Sequence, residues 1–448
     1  MKILQLELQN FRCFEHKVFE FSEQFNVLIG DNGTGKTAFS DALRLIIAVF
    51  INRLAEIRED TFCDKSRIQD SDIREVRNQI IEKKLPVKIV CKSIINDVPI
   101  EWFTIYRDSN DVYANNNYVY SDRNSTNVRS RSTSQDISPL ADSLREKVNN
   151  SQNVNLPLVA YYGTGRLWTV KKEYKEYIEL KNSLIGQPRF WGYTGSIDPR
   201  ANLVIDWFRF EELEILLGQQ SSTIHQAISN ALYTCQIDNW IEMNYDSNED
   251  TLVVKSLNGN TQHFTKLSDG VKNMIGMVAD ITYRAAKLNP HLGADVSKQT
   301  PGIVIIDEID LHLHPKWQRR VVEDLKRTFP KIQFFATTHS PLIIQSLREG
   351  ELIDLNNPDL LPAAEYENKY QEYITEYIMH TPNTNRNDRH QQMMETAERY
   401  YQMLENANNT SPEELEKLKT ELDELIEPYS DDVAYHAFLK MERLARGL

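Results

Sequence analysis

Gly30-Asp31-Asn32-Gly33-Thr34-Gly35-Lys36-Thr37 fits G-x-x-x-x-G-K-[ST] at every fixed position. The chemistry of such a run is polyphosphate binding. Its glycines let the backbone wrap an anion with N–H groups pointing inward, so Gly30, Asn32, Gly33, Thr34, Gly35, Lys36, Thr37 and Ala38 are the candidate nucleotide contacts. Lys36 would neutralise the β- and γ-phosphates, and the Thr37 hydroxyl is a candidate Mg²⁺ ligand. Asp307-Glu308 follows the apolar run Ile303-Val304-Ile305-Ile306, as a Walker B pair does. There Asp307 would hold Mg²⁺ through water, and Glu308 would orient or deprotonate the attacking water. Two carboxylates at a strand end also serve as a helix cap, and the upstream P-loop is what favours the catalytic reading. His339, in Thr338-His339-Ser340-Pro341, stands at the end of another apolar run, placed either to sense a γ-phosphate or to serve structure alone.

The elements that must position these groups are legible as patterns. Phe25 to Ile29 reads as a buried strand, and Ala38 to Ile51 as a helix with one broad apolar face, giving strand, glycine-rich turn, helix. Ahead of them lie a strand at Ile3 to Leu8, a bend at Gln9-Asn10-Phe11-Arg12 and a strand near Val18 to Phe21. Arg58 to Lys84 reads as a charged helical stretch, Val87 to Tyr106 as a hairpin, and Asp108 to Asp136 as a long mobile loop. Leu156 to Tyr162 reads as a return strand of the main sheet, followed by the turn Gly163-Thr164-Gly165-Arg166, where Arg166 is a weak candidate contact for nucleotide or nucleic acid. A hairpin over Thr251 to Phe264 turns at Asn258-Gly259 and leads to Leu267-Ser268-Asp269-Gly270 and an amphipathic helix. Ile303 to Ile306 and Ile332 to Thr337 are solid apolar runs of the kind central parallel strands carry. Beyond Asp359 the pattern is helical, with a capping box at Ser411-Pro412-Glu413-Glu414 and a stripe of Leu415, Leu418, Leu422, Leu425 and Ile426.

The chain has 448 residues, too many for one small domain, and 26% charged with 41% apolar residues excludes a disordered or collagen-like protein. The apolar run Leu45 to Ile51 falls far short of the roughly 20 residues needed to cross a bilayer, and the opening residues read as a strand, not a signal peptide. A cytoplasmic protein is expected. Cys13, Cys63, Cys91 and Cys235 are too scattered for a zinc site. Of the net charge of −14, most belongs to residues 351–448, which hold 21 acidic against 9 basic residues. The body is nearly neutral, so a basic face that meets phosphates is not excluded.

Gly30 to Thr37, Leu267 to Gly270, Ile303 to Glu308, Asp310-Leu311-His312-Leu313-His314-Pro315 and Thr338 to Pro341 together resemble the ABC-type ATPase heads of the RecF/SMC/OLD class. The opening Asn10-Phe11-Arg12 with Phe14 is similar to that class too. The resemblance implies an α/β fold: an ABC-type P-loop NTPase head with an inserted α+β region and an acidic helical C-terminal tail. It divides the chain into residues 1–51 (P-loop lobe), 52–250 (inserted region rejoining the head sheet near 156–166), 251–350 (signature, Walker B, D-loop and switch histidine) and 351–448 (tail for assembly or docking). It implies that Arg12 approaches the nucleotide, that Ser268 and Gly270 form the signature motif, that Asp310 belongs to the D-loop and that His339 is the switch histidine. His312 and His314 then resemble the family's Leu-His-Pro motif more than a metal pair. Asp269 and Val271 depart from the usual LSGGQ signature, and no Q-loop glutamine is placed.

ATP and Mg²⁺ are the implied cofactors, and no guanine-reading Asn-Lys-x-Asp is present. In such heads the P-loop and signature motif lie at opposite ends of the closing surface, so a second copy completes each site in an ATP-sandwich homodimer. About 230 residues between Lys36 and Leu267 lack sustained heptads, which excludes long SMC-type arms, and the tail lacks the Glu and Asp-x-Asp pattern of an OLD-type nuclease. Size and the ending Ala434-Tyr435-His436-Ala437-Phe438-Leu439-Lys440 resemble the PtuA family of Septu and retron-associated anti-phage ATPases. That resemblance implies a separate HNH nuclease partner of the PtuB kind, oligomers above a dimer, and DNA met directly or through the partner. One alternative is a RecF-like repair or maintenance ATPase that binds DNA itself, through residues such as Lys65, Arg67, Arg74, Arg77, Lys171 and Lys172. Another is a scaffold that holds ATP with little turnover.

Overall fold

The computed structural model describes residues 1–55, 68–77, 81–106, 130–131, 137–165, 188–196, 207–209, 222–249 and 251–356, with Met379, Lys417 and Thr420 beyond them. In chain order, β1 (Lys2–Phe11), β2 (Phe14–Glu20) and β3 (Phe25–Ile29) lead into α1 (Lys36–Ala55). A short hairpin of β4 (Arg74–Arg77) and β5 (Ile81–Lys84) precedes a longer one of β6 (Val87–Ile95) and β7 (Val98–Tyr106), with β8 (Ser130–Arg131) on its edge. After α2 (Ile137–Asn149) come β9 (Leu158–Tyr162), α3 (Ser222–Cys235), β10 (Trp240–Asp246), β11 (Thr251–Ser256) and β12 (Thr261–His263). Then follow α4 (Asp269–Leu288), β13 (Gly302–Ile306), α5 (Val321–Thr328), β14 (Ile332–Thr337) and β15 (Leu352–Asp354).

Two five-stranded sheets carry the architecture. One is parallel with order β15-β3-β14-β13-β9, and its strands β3, β9, β13 and β14 are buried at every residue, as continuous apolar runs covered on both faces must be. The other is antiparallel with order β2-β1-β6-β7-β8. Between its first strands and the parallel sheet, α1 is buried almost all round from Ala38 to Ile51, and Trp102 of β7 donates its indole N–H to the Ile46 carbonyl at 3.0 Å. A ring cluster joins the layers: Phe39 meets Phe19 edge-on at 5.0 Å between centroids, and Phe21 meets Phe335 at 4.9 Å. The Gln333 side chain bonds both Ile3 N–H (2.7 Å) and Ile3 C=O (2.8 Å), stitching β14 to β1.

The α/β P-loop head expected from the sequence is thus present, and Leu158–Tyr162 rejoins the parallel sheet beside β13. Two readings change. Within the charged stretch Arg58 to Lys84, the described residues form no α-helix: residues 74–77 and 81–84 pair antiparallel as a hairpin, held by the Phe11 to Ile73 bridge and the Arg74 to Glu15 ion pair at 2.9 Å. The hairpin expected over Val87–Tyr106 is present as β6 and β7, and β6 pairs antiparallel with β1 from Lys2 to Gln9. The bend after β1 comes later than expected, as the strand continues through Phe11.

The long loop expected over Asp108 to Asp136 lies outside the described residues, apart from Ser130–Arg131 paired with β7. Arg166, Lys65, Arg67, Lys171 and Lys172 lie outside them as well. Met1–Ile374 forms one compact unit and Thr375–Leu448 another, and the helical stripe from Leu415 to Ile426 in the second is outside the described residues except Lys417 and Thr420. Among the described residues no helix is long and apolar enough to cross a membrane.

Candidate functional site

β3 delivers the chain into the glycine-rich loop, and two positions explain why glycine is needed. Gly33 has φ of 88°, and Gly35 has φ of 114° with no room for a side chain: a Cβ there would meet Cys13 Sγ and the Phe14 ring at 2.6 Å. The turn between β1 and β2 therefore rests against the loop. The first intrahelical bond of α1 runs from Phe39 N–H to Gly35 C=O at 2.8 Å, leaving the earlier N–H groups free of helical partners at the positive end of a 20-residue helix.

Lys36 folds back over this loop, its ammonium donating to the carbonyls of Gly30 (2.5 Å) and Asp31 (3.0 Å). Burial lowers its pKa, opposed by the charges of Asp31 and Glu308. Thr34 donates its hydroxyl to the Asp31 carbonyl at 2.9 Å, and Asn32 and Thr37 are exposed.

β13 and β14 run parallel in register and end at the same level, which places Asp307, Glu308 and the Thr338-His339 turn together. Asp307 is 8% exposed and accepts hydrogen bonds from Ser40 of α1 and Tyr161 of β9. Glu308 holds φ of 49° and donates its backbone N–H to the Thr337 hydroxyl at 2.8 Å. Asp310 accepts from the Thr338 hydroxyl (2.6 Å) and the His339 N–H (3.3 Å), while His339 itself is exposed. The expected D-loop and switch residues are therefore tied to each other within one chain.

The donor set fits Mg²⁺. Asp307 and Thr37 offer hard oxygens, Ser40 one helical turn beyond Thr37 touches Asp307, and no group of three or more His, Cys, Asp or Glu among the described residues forms a complete metal cage. An ion there would take its remaining ligands from phosphate and water, as Mg²⁺ does beside nucleotides.

Ser268 caps α4 without spending its side chain, and is exposed. Gly270 is buried under the His312 carbonyl. Asp269 turns aside to pair with Lys272 at 2.7 Å, which also lowers its pKa. Ser268, Gly270, His312, His314, Lys316 and Trp317 line a cavity of about 580 Å³ to which no P-loop residue contributes.

Arg12 is held by two carboxylates. Its guanidinium bonds Asp41 at 2.8 Å and Asp72 at 2.7 Å, and although burial works against its charge, the two carboxylates outweigh that and raise its pKa. Asp41 in turn holds the buried Arg44 at 2.6 Å. Ser40, Tyr161, Asp41 and Asp72 are the polar residues around the site that motif reading missed. The signal for Asp41 was Asp41-x-x-Arg44, a charged pair on a largely apolar stretch of helix.

The AAA ATPase domain family (AAA_15) matches residues 1–344. The retron Vc95 probable ATPase of Vibrio cholerae serotype O1 biovar El Tor is 27% identical over 80% of this chain and 74% of its own. The Septu protein PtuA of Bacillus mycoides (strain KBAB4) is 35% identical over 35% of this chain and 22% of its own. The DNA replication and repair protein RecF of Bacillus pumilus (strain SAFR-032) is 32% identical over 20% of this chain and 23% of its own. The AAA_15 match spans more than half of the chain, and the chain belongs to the AAA ATPase domain family.

Proposed function

We propose that the protein binds and hydrolyses ATP with Mg²⁺ and acts as a nucleotide-gated dimeric clamp that regulates a partner HNH nuclease in anti-phage defence. Gly30 and Asn32 to Ala38 would hold the polyphosphate, Thr37 and Asp307 the metal, and Glu308 the attacking water, with His339 at the γ-phosphate. The observation that carries the clamp is that the cavity bearing Ser268 has no P-loop residue in its walls. A nucleotide seated on the P-loop of one copy and closed by Ser268 and Gly270 of another would make ATP the joint of the dimer, loosened by hydrolysis. Similarity to the retron and Septu ATPases supports the defence setting and a cytoplasmic location, and through it a nuclease partner of the PtuB kind and DNA as that partner's target.

The test is to purify tagged wild type and Glu308→Gln from the native host with and without ATP, size the complexes and identify what travels with them. An ATP-dependent dimer or larger assembly, trapped by Glu308→Gln and carrying a small Cys/His-rich nuclease in stoichiometric amount, is the expected result. A species whose size ignores nucleotide overturns the clamp. A partner-free dimer bound to DNA in a salt-sensitive way replaces the nuclease reading with a RecF-like one.

A further inference from the structure

Asp307 is gripped by two side chains that lie outside the P-loop and the Asp307-Glu308 pair. Ser40 donates its hydroxyl to Oδ1 at 2.9 Å, and Tyr161 donates its phenol to Oδ2 at 2.5 Å. Ser40 is 2% exposed, Tyr161 and Asp307 8% each. The reach of Tyr161 follows from register. β9 and β13 run parallel with Tyr161 beside Ile305 and Tyr162 beside Ile306, and Asp307 N–H bonds the Tyr162 carbonyl at 2.8 Å. Side chains on one face of a strand repeat every two residues, about 6.6 Å, so Asp307 lies on the Tyr161 face one repeat further on. A tyrosine is long enough to span that repeat along the strand. Phenylalanine would fill the same space and offer no donor.

The neighbouring tyrosine supplies an internal control. Tyr162 faces the other side of the sheet and donates to Asp280 of α4 at 2.7 Å, where Arg284 also donates at 2.9 Å. Both phenols are buried and bonded to a carboxylate, but only one of those carboxylates belongs to the nucleotide site. Arg44 lies over the Tyr161 ring at 5.4 Å and fixes the ring from the α1 side.

We propose that Tyr161 is a positioning residue for the hydrolytic reaction, setting the Asp307 carboxylate in the orientation that receives the metal-bound nucleotide. The proposal rests on the ATPase reading above. Two donors on two oxygens fix the carboxylate before any ligand arrives, which is the role outer partners play around metal-binding carboxylates.

The test compares Tyr161→Phe with Tyr162→Phe in the full chain. Affinity for a fluorescent ATP analogue is measured in Mg²⁺ and in EDTA, hydrolysis is followed across a Mg²⁺ titration, and thermal midpoints are recorded. Tyr161→Phe is expected to cut the affinity gained from Mg²⁺ by about 10-fold and to raise the Mg²⁺ needed for half-maximal hydrolysis in step, with affinity in EDTA unchanged. Tyr162→Phe is expected to lower the midpoint and leave the Mg²⁺ dependence alone. Should Tyr161→Phe fail to fold, Ser40→Ala removes the other donor and is expected to give the same shift. Wild-type Mg²⁺ dependence in Tyr161→Phe, or an equal shift in both tyrosine variants, overturns the proposal and leaves the ATPase reading standing. A wild-type protein that neither hydrolyses ATP nor gains affinity from Mg²⁺ overturns both.

Discussion

The His312 carbonyl sits over Gly270 so closely that a methyl group on Gly270 would lie 2.4 Å from the oxygen. The start of α4 and the loop following Asp307-Glu308 are therefore in close contact within one chain, and His312 adopts φ of 61° there. Gly270→Ala must force the two apart, costing about 1–3 kcal/mol as overpacking generally does. Urea titration should show that loss, and sizing should show a weakened ATP-dependent dimer. Binding of nucleotide to the P-loop of the isolated chain should persist, because no P-loop residue shares that cavity.

Arg12 links the first turns of α1 to the segment at Asp72, and replacing it takes the cation from buried Asp72 and leaves buried Asp41 with Arg44 alone. Arg12→Ala should cost about 2–3 kcal/mol, below the roughly 3–5 of a fully buried pair because the guanidinium side chain is 29% exposed. Asp72→Asn should lose part of the same stability. If Arg12→Ala instead weakens nucleotide binding at unchanged stability, the arginine leaves its carboxylates for the ligand, as the family resemblance implies.

Thiol reactivity offers a probe of the P-loop. Cys13 is exposed and touches the space at Gly35, whereas Cys91 and Cys235 are buried. Iodoacetamide should label Cys13 in the folded protein and reach Cys91 and Cys235 only on unfolding, and saturating ATP should slow labelling of Cys13. Mass-spectrometric quantification of each peptide decides this. Labelling of Cys13 should be slow against an open thiol, since burial raises its pKa.

Burial, with the nearby Asp324 charge, pushes the Cys235 thiol from 9.0 up to about 12. The native state keeps this proton where the unfolded chain loses it, so it binds more protons between those values. Stability contributed by Cys235 is thus whole below pH 9 and falls as pH rises toward 12, by up to about 1.4 kcal/mol per unit. Denaturant titrations at pH 8 and pH 10 should show a smaller decline for Cys235→Ala than for wild type.

How much of this was legible depended on how local the cause is. Gly30 to Thr37 and the strands Phe25–Ile29, Gly302–Ile306 and Ile332–Thr337 declare themselves through short-range chemistry: glycines, one lysine, and β-branched or aromatic runs. The hairpin at residues 74–77 and 81–84 did not, since Arg, Glu and Lys favour helices by propensity and only pairing with distant chain makes them strand. Ser40 and Tyr161 lie 267 and 146 residues from Asp307, and no spacing rule connects them. Likewise the motif containing Arg12 marked its neighbourhood, while its partners Asp41 and Asp72 emerged only from the packing.

The placement of β3 has a consequence for how the protein is made. Its neighbours in the sheet are β14 and β15, so Phe25 to Ile29 find their pairing edges only in residues 332–354. At translation speeds of about 5–20 residues per second, the strand that carries the P-loop waits roughly 15–60 s for both partners to leave the ribosome. Until then it exposes two unpaired apolar edges, a contact of high sequence separation and slow closure. A nascent chain cannot assemble its nucleotide site, and truncation before residue 332 should yield a species that depends on chaperones.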